Sequence, residues 1–427
     1  MQDALRRSDT LDYLQYAFNL LLYHSFSHSH IADGPIMPDS FRDPGYPAFL
    51  AGLMLLLGFT DRWYAAVLAI QAILGGLSAC LTVLIARRWL GPAWSLAAGL
   101  LAAIWPHTVA FSAFVLSETL FGFLLTLALW LSCRAFDSAS RLRWFVAGLG
   151  FGLAAMVNAV VVPLAPLLAL LSWRRGSLNR SLALALLLGA MLLPATWALR
   201  SWSIPAERSP QGRAEVNLVQ GSWPEYHRAY IAALGHDPAA LQTMQAIGRE
   251  QDLMLYSPAA GLASMFGRFR AEPWRYLAWY ASKPALLWAW HIRMGWGDIY
   301  AYPVDHPIYL TNPVMPAVEA LCLALNPLLF VLMALLVLAA LLRARLTEGR
   351  PALYVVVLTA GFATLVYSLL QAEPRYSVPL RPLEMLLAVT ALEGILRQWR
   401  SRFRGDNDPA AAPPSAHPRT TAPGGAN

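Results

Sequence analysis

Long apolar stretches, separated by short loops that carry arginine, dominate the pattern along this chain. The clearest of them cover 64–86, 92–112, 116–133, 181–199, 318–342, 352–370 and 378–396. Each is long enough, at about 20 residues, to cross a hydrocarbon layer of ~30 Å as a helix. A spanning segment must satisfy its own backbone hydrogen bonds, and these stretches lack the alternating polarity of barrel strands. The pattern therefore predicts an all-α, polytopic transmembrane protein.

Two further apolar stretches are interrupted or short. Residues 144–173 contain Asn158, Pro163 and Pro166, which predict two short helices that cross the membrane out and back. Residues 46–59 are too few for a span and suit a re-entrant or interfacial helix. The seven clear stretches and the two crossings at 144–173 together predict about nine or ten spans.

The arginines predict how these spans are oriented. Fifteen arginines and two acidic residues lie in five short loops, at 87–88, 134–143, 174–180, 343–350 and 397–404. By the positive-inside rule these loops, and the C-terminus with them, are cytoplasmic. Residues 200–315 then form a large outer-face loop, in which the amphipathic stretch 276–290 suits the membrane interface.

This orientation divides the chain into five regions. They are an outer-face first loop with interfacial helices (1–63), transmembrane helices (64–199), the large outer loop (200–315), C-terminal transmembrane helices (316–398) and a cytoplasmic tail (399–427). The tail is rich in proline, alanine and glycine, a composition that predicts disorder.

Composition agrees with a membrane location and argues against nucleic-acid binding. Only 13% of the 427 residues are charged and 57% are hydrophobic, whereas soluble proteins carry about 25% charged residues. The net charge of +7 comes from the short loops rather than from one basic patch. The histidines show no metal-binding spacing, so no metal site is predicted.

Acidic residues on the predicted outer face are candidates for catalysis. Asp9 stands three residues before Asp12 and four before Tyr13, so on a helix the three share a face. Asp9 could equally be an acid that caps the start of this helix. Glu118 opens a span near the outer surface, where a carboxylate is costly and often functional. Its alternative is an ordinary helix-start acid with Ser117 as the cap.

Two other polar residues mark breaks in the apolar pattern. Arg42 heads the turn FRDPGYP, which leads into the short helix at 46–59. Its planar guanidinium suits bidentate contact with a phosphate, although a solvated turn arginine would fit the same pattern. Asn158 lies at the break in 144–173, where it either caps a broken helix or faces the outer side.

The motif AEPRYSVPLRP brings further charges to a short outer turn. Glu373, Arg375 and Tyr376 lie in the turn itself, and Arg381 lies at least one helical turn inside the following span. An arginine at that depth is costly unless it reaches the surface or meets an anion. A lipid-linked phosphate at the headgroup level would be such an anion.

In this order, these segments resemble the polytopic GT-C glycosyltransferases, which include bacterial relatives of protein O-mannosyltransferases and of the lipid A aminoarabinose transferase. The motifs are Asp9-x3-Tyr13-x3-Ala17, Arg42-x-Pro44-x-Tyr46-Pro47, Ser117-Glu118-Thr119-Leu120-Phe121, the stretch 152–171, PATWALR at 194–200, EPWRYLAWYASKPALLW at 272–288 and the EPRYSVPLRP turn. They extend over nearly the whole chain.

The resemblance implies a GT-C-like fold and an enzyme of the bacterial inner membrane. Such an enzyme transfers a sugar from a polyprenyl-phosphate donor to a lipid, glycan or protein acceptor at the periplasmic face. The residues that it implies are Asp9, Asp12 and Glu118 for catalysis, Arg42, Lys283, Arg375 and Arg381 for the donor phosphate, and Tyr13, Tyr46, Asn158 and Tyr376 in support. It leaves the need for a divalent cation, Mg²⁺ or Mn²⁺, open.

The sequence departs from the family in two places. Family members carry a transmembrane helix just before the Asp9 motif, whereas eight residues precede Asp9 here, so one span is expected to be missing. Many relatives have arginine or lysine at the position of Asn158, which puts a phosphate contact in doubt. Two other functions are therefore compatible with the sequence: a transporter or flippase of lipid-linked sugars, and a family member that has lost catalysis.

Overall fold

The computed structural model describes residues 8–405, and its regular elements are helices. In the first half of the chain they are α1 (Ser8–Tyr23), α2 (Gly45–Leu57), α3 (Asp61–Ala86), α4 (Pro92–Ile104), α5 (Pro106–Ser112), α6 (Glu118–Ala135), α7 (Arg141–Val157), α8 (Leu164–Arg174) and α9 (Arg180–Ser201). In the second half they are α10 (Pro210–Ser222), α11 (Tyr226–Leu234), α12 (Pro238–Tyr256), α13 (Pro258–Ala271), α14 (Pro273–Leu287), α15 (Ile308–Thr311), α16 (Met315–Leu342), α17 (Pro351–Leu369), α18 (Pro374–Ser377) and α19 (Arg381–Gly405).

Several of these helices can cross a membrane, and the chain is a multi-pass membrane protein. By length and composition, five described helices qualify: α3, α6, α9, α16 and α17. The pair α4 and α5 makes a sixth if it is one span, bent by 49° where Pro106 begins α5. This count is below the predicted nine or ten because α7 and α8 are short and α19 carries Arg381, Glu384, Glu393 and Arg397.

Both irregular apolar stretches, 46–59 and 144–173, have the predicted form in the structure. Residues 46–59 form the short helix α2, and the apolar stretch 144–173 is broken into α7 and α8. The side chain of Asn158 accepts a hydrogen bond from the backbone N–H of Val160 at 3.2 Å. Asn158 therefore caps the short 3-10 turn between the two helices, in agreement with the interpretation of this residue as a cap.

The core lies between the spanning helices and the helices beside them. Large side chains that are fully buried come from α6, α7 and the end of α14, among them Phe121, Trp144, Phe151 and Trp288. Leu287 and Trp288 belong to the same core cluster as α17. The predicted interfacial stretch thus ends inside the protein, which ties the outer region to the spans.

The region 200–315 folds into its own small helical layer. Val219, Tyr226, Ile247 and Met254 form a separate buried cluster there. Arg268 reinforces it, because its Nη2 lies 2.6 Å from Glu250 Oε2. The layer is therefore an ordered support for the loops that follow it.

Two predicted regions extend beyond the described residues. The last helix, α19, continues to Gly405, so the tail that was predicted from residue 399 begins as helix. Residues 406–427 of that tail, and residues 1–7 of the predicted first loop, lie outside the described part of the chain.

The turn that carries Arg42 packs closely against the break after α7. An ideal Cβ at Gly45 would lie 2.8 Å from the carbonyl oxygen of Met156 and 2.7 Å from Val157 Cγ2. Asp43 Oδ2 accepts a hydrogen bond from the backbone N–H of Ala159 at 3.2 Å. Glycine thus permits a backbone approach that fixes the direction of the turn.

We expect Gly45→Ala to lower the free energy of unfolding by about 1–3 kcal/mol, because the methyl group overpacks a rigid backbone contact. The matched control is Gly52→Ala on the same helix, where no heavy atom lies within 4 Å of the added Cβ. That variant should be neutral or up to about 1 kcal/mol more stable, since alanine is the better helix former. Thermal unfolding in detergent compares them, and equal midpoints would contradict the contact.

Candidate active site

Five alternating charges form one continuous ion network beside the first helix. Asp9 lies at its centre: Arg42 Nη2 is 2.7 Å from Asp9 Oδ1, and Arg375 Nη1 is 2.7 Å from Asp9 Oδ2. Arg42 also reaches Asp12 Oδ2 at 2.5 Å, and Arg375 Nε reaches Glu118 Oε1 at 2.5 Å. The network brings α1, the FRDPGYP turn, α6 and α18 to one point.

The network carries more negative than positive groups. Three carboxylates share two guanidinium groups, and His28 Nε2 lies 3.1 Å from Asp12 Oδ1 at its outer end. At the inner end, Glu118 Oε2 is buried without a hydrogen-bond partner among the described residues. A buried polar atom of this kind is costly and marks a place where the site is incomplete.

Aromatic hydroxyl groups hold the first helix in place. The Tyr13 hydroxyl lies 3.1 Å from Ser117 Oγ, and Thr10 Oγ1 donates to the carbonyl of Val115 at 3.1 Å. Tyr46 packs edge-on against Tyr13, with ring centroids 5.0 Å apart. Because Ser117 pairs with Tyr13 and makes no side-chain cap hydrogen bond, the capping interpretation of Ser117 is wrong.

A buried carboxylate positions the turn that carries Arg375. Glu373 is 1% exposed, and its Oε1 accepts hydrogen bonds from the backbone N–H groups of Arg293 at 2.7 Å and Met294 at 3.1 Å. In the same turn, Tyr376 stacks on Tyr367, with ring centroids 5.3 Å apart. These contacts direct Arg375 toward Asp9.

The two arginines control the protonation of Asp9. Burial alone would raise the pKa of Asp9, but the charges of Arg375 and Arg42 outweigh it and hold the pKa well below its usual range. For Asp12, burial is likewise outweighed, by His28 and Arg42, and its pKa is also lowered. Both acids are therefore ionised at neutral pH, and Asp9 is a weak proton acceptor while both arginines contact it.

Two cavities meet at α5, where Val109 and Ser112 line both. The span cavity, of about 280 Å³, lies among α3, α4, α5 and α6; Ala79, Ala102, Gly122 and Glu118 are among its lining residues. The loop cavity, of about 580 Å³, is lined by Thr10 and by residues 300 and 302–309. One cavity is lined mainly by small residues and ends at Glu118, and the other begins next to Asp9.

The described residues include no group of three His, Cys, Asp or Glu side chains that could hold a metal ion. The charged centre of the site instead consists of carboxylates and guanidinium groups, a set that can bind and move protons and hold an anionic group.

Residues 38–199 match the family model described as dolichyl-phosphate-mannose-protein mannosyltransferase. The predicted resemblance is confirmed. The matched segment contains Arg42, Tyr46, Glu118 and Asn158, four of the residues that this resemblance had singled out. A search of the curated proteins found no match.

Solved glycosyltransferase structures are similar over most of this chain. Apo ArnT from Cupriavidus metallidurans gives a TM-score of 0.48 at 14% identity, covering 92% of this chain and 57% of that chain. ArnT bound to undecaprenyl phosphate gives 0.47 at 13%, covering 93% and 57%. AglB, the oligosaccharyltransferase of Archaeoglobus fulgidus, in complex with an inhibitory peptide and a dolichol-phosphate, gives 0.47 at 14%, covering 95% and 48%. The chain spans about half the length of these proteins.

The structure gathers most of the residues that the mannosyltransferase resemblance implied. Those in or against the network are Asp9, Asp12, Tyr13, Arg42, Tyr46, Glu118 and Arg375. Tyr376 directly follows Arg375 in the chain, and Asn158 is connected to Tyr376 through Tyr367: Asn158 Nδ2 donates to the Tyr367 hydroxyl at 3.3 Å, and Tyr367 stacks on Tyr376.

Arg381 lies apart from this group, in the protein core. It is 0% exposed, with Nη1 2.7 Å from Glu384 Oε2 and 2.9 Å from Asn326 Oδ1. Its Nη2 donates to the carbonyl of Ala289 at 2.9 Å. A buried arginine with an internal carboxylate partner is stable without an external anion, so this environment supports a structural role.

Lys283 is likewise enclosed. Its Nζ is buried and donates to the backbone carbonyls of Gly221 at 2.8 Å and Leu370 at 2.6 Å. Burial lowers the pKa of Lys283 to about 7. The residue thus joins α10 to the end of α17, where the turn with Arg375 begins.

We expect Lys283→Met to destabilise the protein by about 1–3 kcal/mol, because the carbonyl of Leu370 loses its side-chain donor, whereas that of Gly221 still accepts from Trp279 Nε1. In the parent, the free energy of unfolding should fall as pH is lowered from 10.5 to about 7, because the unfolded chain binds this proton more tightly. Below that range the dependence should level off. The variant should lack this slope, and Arg270→Met, at an exposed residue of α13, should retain it. A variant as stable as the parent would contradict the assignment.

Several residues of the site were not predicted from the sequence. Asp43 fixes the turn and pairs with Arg213, whose Nη2 lies 2.7 Å from Asp43 Oδ1. Gln71 accepts from the Tyr46 hydroxyl at 2.8 Å. The tyrosines of the loop cavity were also missed. A polar residue inside an apolar stretch, such as Gln71, is the signal that could have identified one of them.

Proposed function

We propose that this protein is a membrane glycosyltransferase. It takes a sugar from a polyprenyl-phosphate-linked donor and passes it to an acceptor at the periplasmic face of the bacterial inner membrane. The ion network centred on Asp9 carries this proposal, because it joins three carboxylates and two arginines, and Glu118 at its inner end lines the span cavity. The match of residues 38–199 to the mannosyltransferase family supports it.

The donor phosphate competes with the carboxylates for the arginines. Without a ligand, Arg375 divides its contacts between Asp9 and Glu118, and Arg42 divides its contacts between Asp9 and Asp12. A phosphate is a strong bidentate partner for guanidinium. It would draw one or both arginines away from Asp9, and the pKa of Asp9 would then rise because the charges that lower it have moved.

This exchange makes Asp9 a proton acceptor at the moment when the donor is bound. The acceptor hydroxyl attacks the anomeric carbon, and its proton passes to Asp9. The bond between that carbon and the phosphate oxygen breaks, and the phosphate leaves with the bonding electrons. Arg375 and Arg42 stabilise the charge on the leaving phosphate, which is the largest contribution that such a site can make.

The two cavities suit the two substrates. The span cavity is lined mainly by small residues of α3 to α6, and its position among candidate spans suits the apolar part of a lipid donor. The loop cavity borders Thr10, next to Asp9, and suits the acceptor. The acceptor oxygen and the donor phosphate would thus approach the network from opposite sides of α5.

The test is a transfer assay with the intact protein in lipid nanodiscs, using a radiolabelled short-chain polyprenyl-phosphate sugar and extracted envelope glycans, lipids and peptides. We expect label to appear in one acceptor class and free polyprenyl phosphate to form in equal amount. In liposomes, movement of the lipid-linked sugar without any transfer would instead identify a transporter. The absence of both activities would favour a family member that has lost catalysis.

A further inference from the structure

The loop cavity has an unusual lining for a site beside two arginines. Four tyrosines line it: Tyr64, Tyr300, Tyr302 and Tyr309. None of its described lining residues is arginine or lysine, and Asp305 is the one carboxylate among them. At about 580 Å³ it falls within the range of pockets that enclose small ligands, roughly 300–1,000 Å³.

The lining determines which chemistry the cavity can accept. A tyrosine offers an apolar ring face and a hydroxyl group that both donates and accepts hydrogen bonds. A sugar ring is complementary to this, because it has a face of C–H groups and an edge of hydroxyl groups. Thr10 and Ser112 add two further hydroxyl groups to the lining.

The charge distribution disfavours an anionic ligand on this side, because the described lining offers one histidine, His306, and no arginine or lysine. A phosphate or carboxylate on the acceptor would need a cation, and arginine or lysine is the usual partner. Arg42 and Arg375 do not line the loop cavity, and both are engaged by the carboxylates of the network. The exposed Asp305 at the cavity would repel a second negative charge.

We infer that the acceptor is a neutral glycan whose sugar hydroxyl enters the loop cavity, rather than a phosphorylated lipid or a peptide. This inference rests on the proposed function, because the glycan is an acceptor only if the protein transfers a sugar. The binding of a neutral glycan itself does not depend on transfer. Thr10 lines the cavity and directly follows Asp9 on α1, and burial together with the nearby charge of Asp9 raises the pKa of Tyr302, another lining residue, to about 12. A sugar hydroxyl in the cavity therefore lies on the side from which Asp9 can take its proton.

Binding to the intact protein in nanodiscs tests this inference without a donor. Saturation-transfer NMR would compare mannotriose, mannotriose 6-phosphate and a Ser/Thr-containing dodecapeptide. We expect mannotriose to bind at least about tenfold more tightly than either alternative, which corresponds to about 1.4 kcal/mol. Tighter binding of the phosphorylated sugar or the peptide, or no binding of mannotriose, would overturn the inference.

Two variants locate the binding site. Tyr300→Ala should weaken mannotriose binding about tenfold, and Tyr300→Phe, which keeps the ring, should have a smaller effect. Tyr256→Ala is the matched control, because Tyr256 is 75% exposed on α12 and lines neither cavity. If the Tyr300→Ala and Tyr256→Ala variants bound mannotriose with equal affinity, binding in the loop cavity would be contradicted.

A charge reversal tests the selection against anions. Asp305→Lys should raise the affinity for mannotriose 6-phosphate about tenfold and leave that for mannotriose nearly unchanged. An unchanged preference would show that charge at the cavity does not select the ligand. If transfer to a phosphorylated or peptide acceptor were found, this inference would fail while the proposed function stood. If mannotriose bound as expected but no transfer occurred, the proposed function would fail.

Discussion

Arg375→Met is expected to lower kcat/KM for sugar transfer by about 10²–10³, because the leaving phosphate loses a charged partner. Arg375 contacts Asp9 and Glu118 at 2.7 and 2.5 Å, and its side chain is 14% exposed. The same change leaves two buried carboxylates with fewer partners and should cost about 3–5 kcal/mol of stability. Single-turnover kinetics and thermal unfolding measure the two effects separately.

Two further variants separate the charge from the fold. Arg375→Lys keeps a positive charge but can reach only one carboxylate well, so it should recover part of the stability and part of the activity. Arg249→Met changes an exposed arginine of α12 and should alter neither quantity. If the Lys and Met variants were both as active as the parent, the guanidinium of Arg375 would have no role in transfer.

Asp9→Asn is expected to lower kcat by about 10²–10⁴, since an amide cannot accept the proton of the acceptor hydroxyl. Donor binding should survive or strengthen, because Arg375 and Arg42 lose a carboxylate that competes with the donor phosphate. A large fall in kcat with an equal or lower dissociation constant for the donor is therefore the signature of this residue. If Asp9 had only a structural role, its replacement would lower both kcat and the affinity for the donor.

The control for this variant is Asp61→Asn, which changes an exposed acid in the first turn of α3. Its activity should match that of the parent. The pKa of Asp9 lies well below its usual range in the ligand-free protein, so the stability that Asp9 contributes is present above pH ~4 and is lost only at lower pH. The titration of Asp9 should therefore add no pH dependence to the stability of the parent between pH 6 and 8.

The sequence predicted the long helices, and the common face of Asp9, Asp12 and Tyr13, for clear physical reasons. Apolar stretches of about 20 residues specify spanning helices locally, and Asp9, Asp12 and Tyr13 share a face through simple helical spacing. The bend between α4 and α5 was missed because apolar character continues through Pro106.

The partners of Asp9 could not be derived from local patterns. Asp9 and Arg375 are 366 positions apart, and their contact depends on how α18 is held by Glu373. Arg375 and Arg381 lie in the same motif and were both predicted to bind the donor phosphate, yet Arg375 belongs to the network and Arg381 is buried in the core. The spacing of Arg381 and Glu384, three apart on a helix, was a readable sign of an internal pair.

The most direct test of the glycosyltransferase account is cleavage of the bond between sugar and phosphate in a single turnover. Purified parent protein and the Asp9→Asn variant, both in nanodiscs, would receive the same labelled polyprenyl-phosphate sugar with extracted envelope glycans, lipids and peptides as acceptors. The account predicts that the parent releases one polyprenyl phosphate for each sugar that reaches an acceptor, and that Asp9→Asn binds the donor but releases almost none. Equal release by the two proteins, or binding without release by the parent, would contradict it.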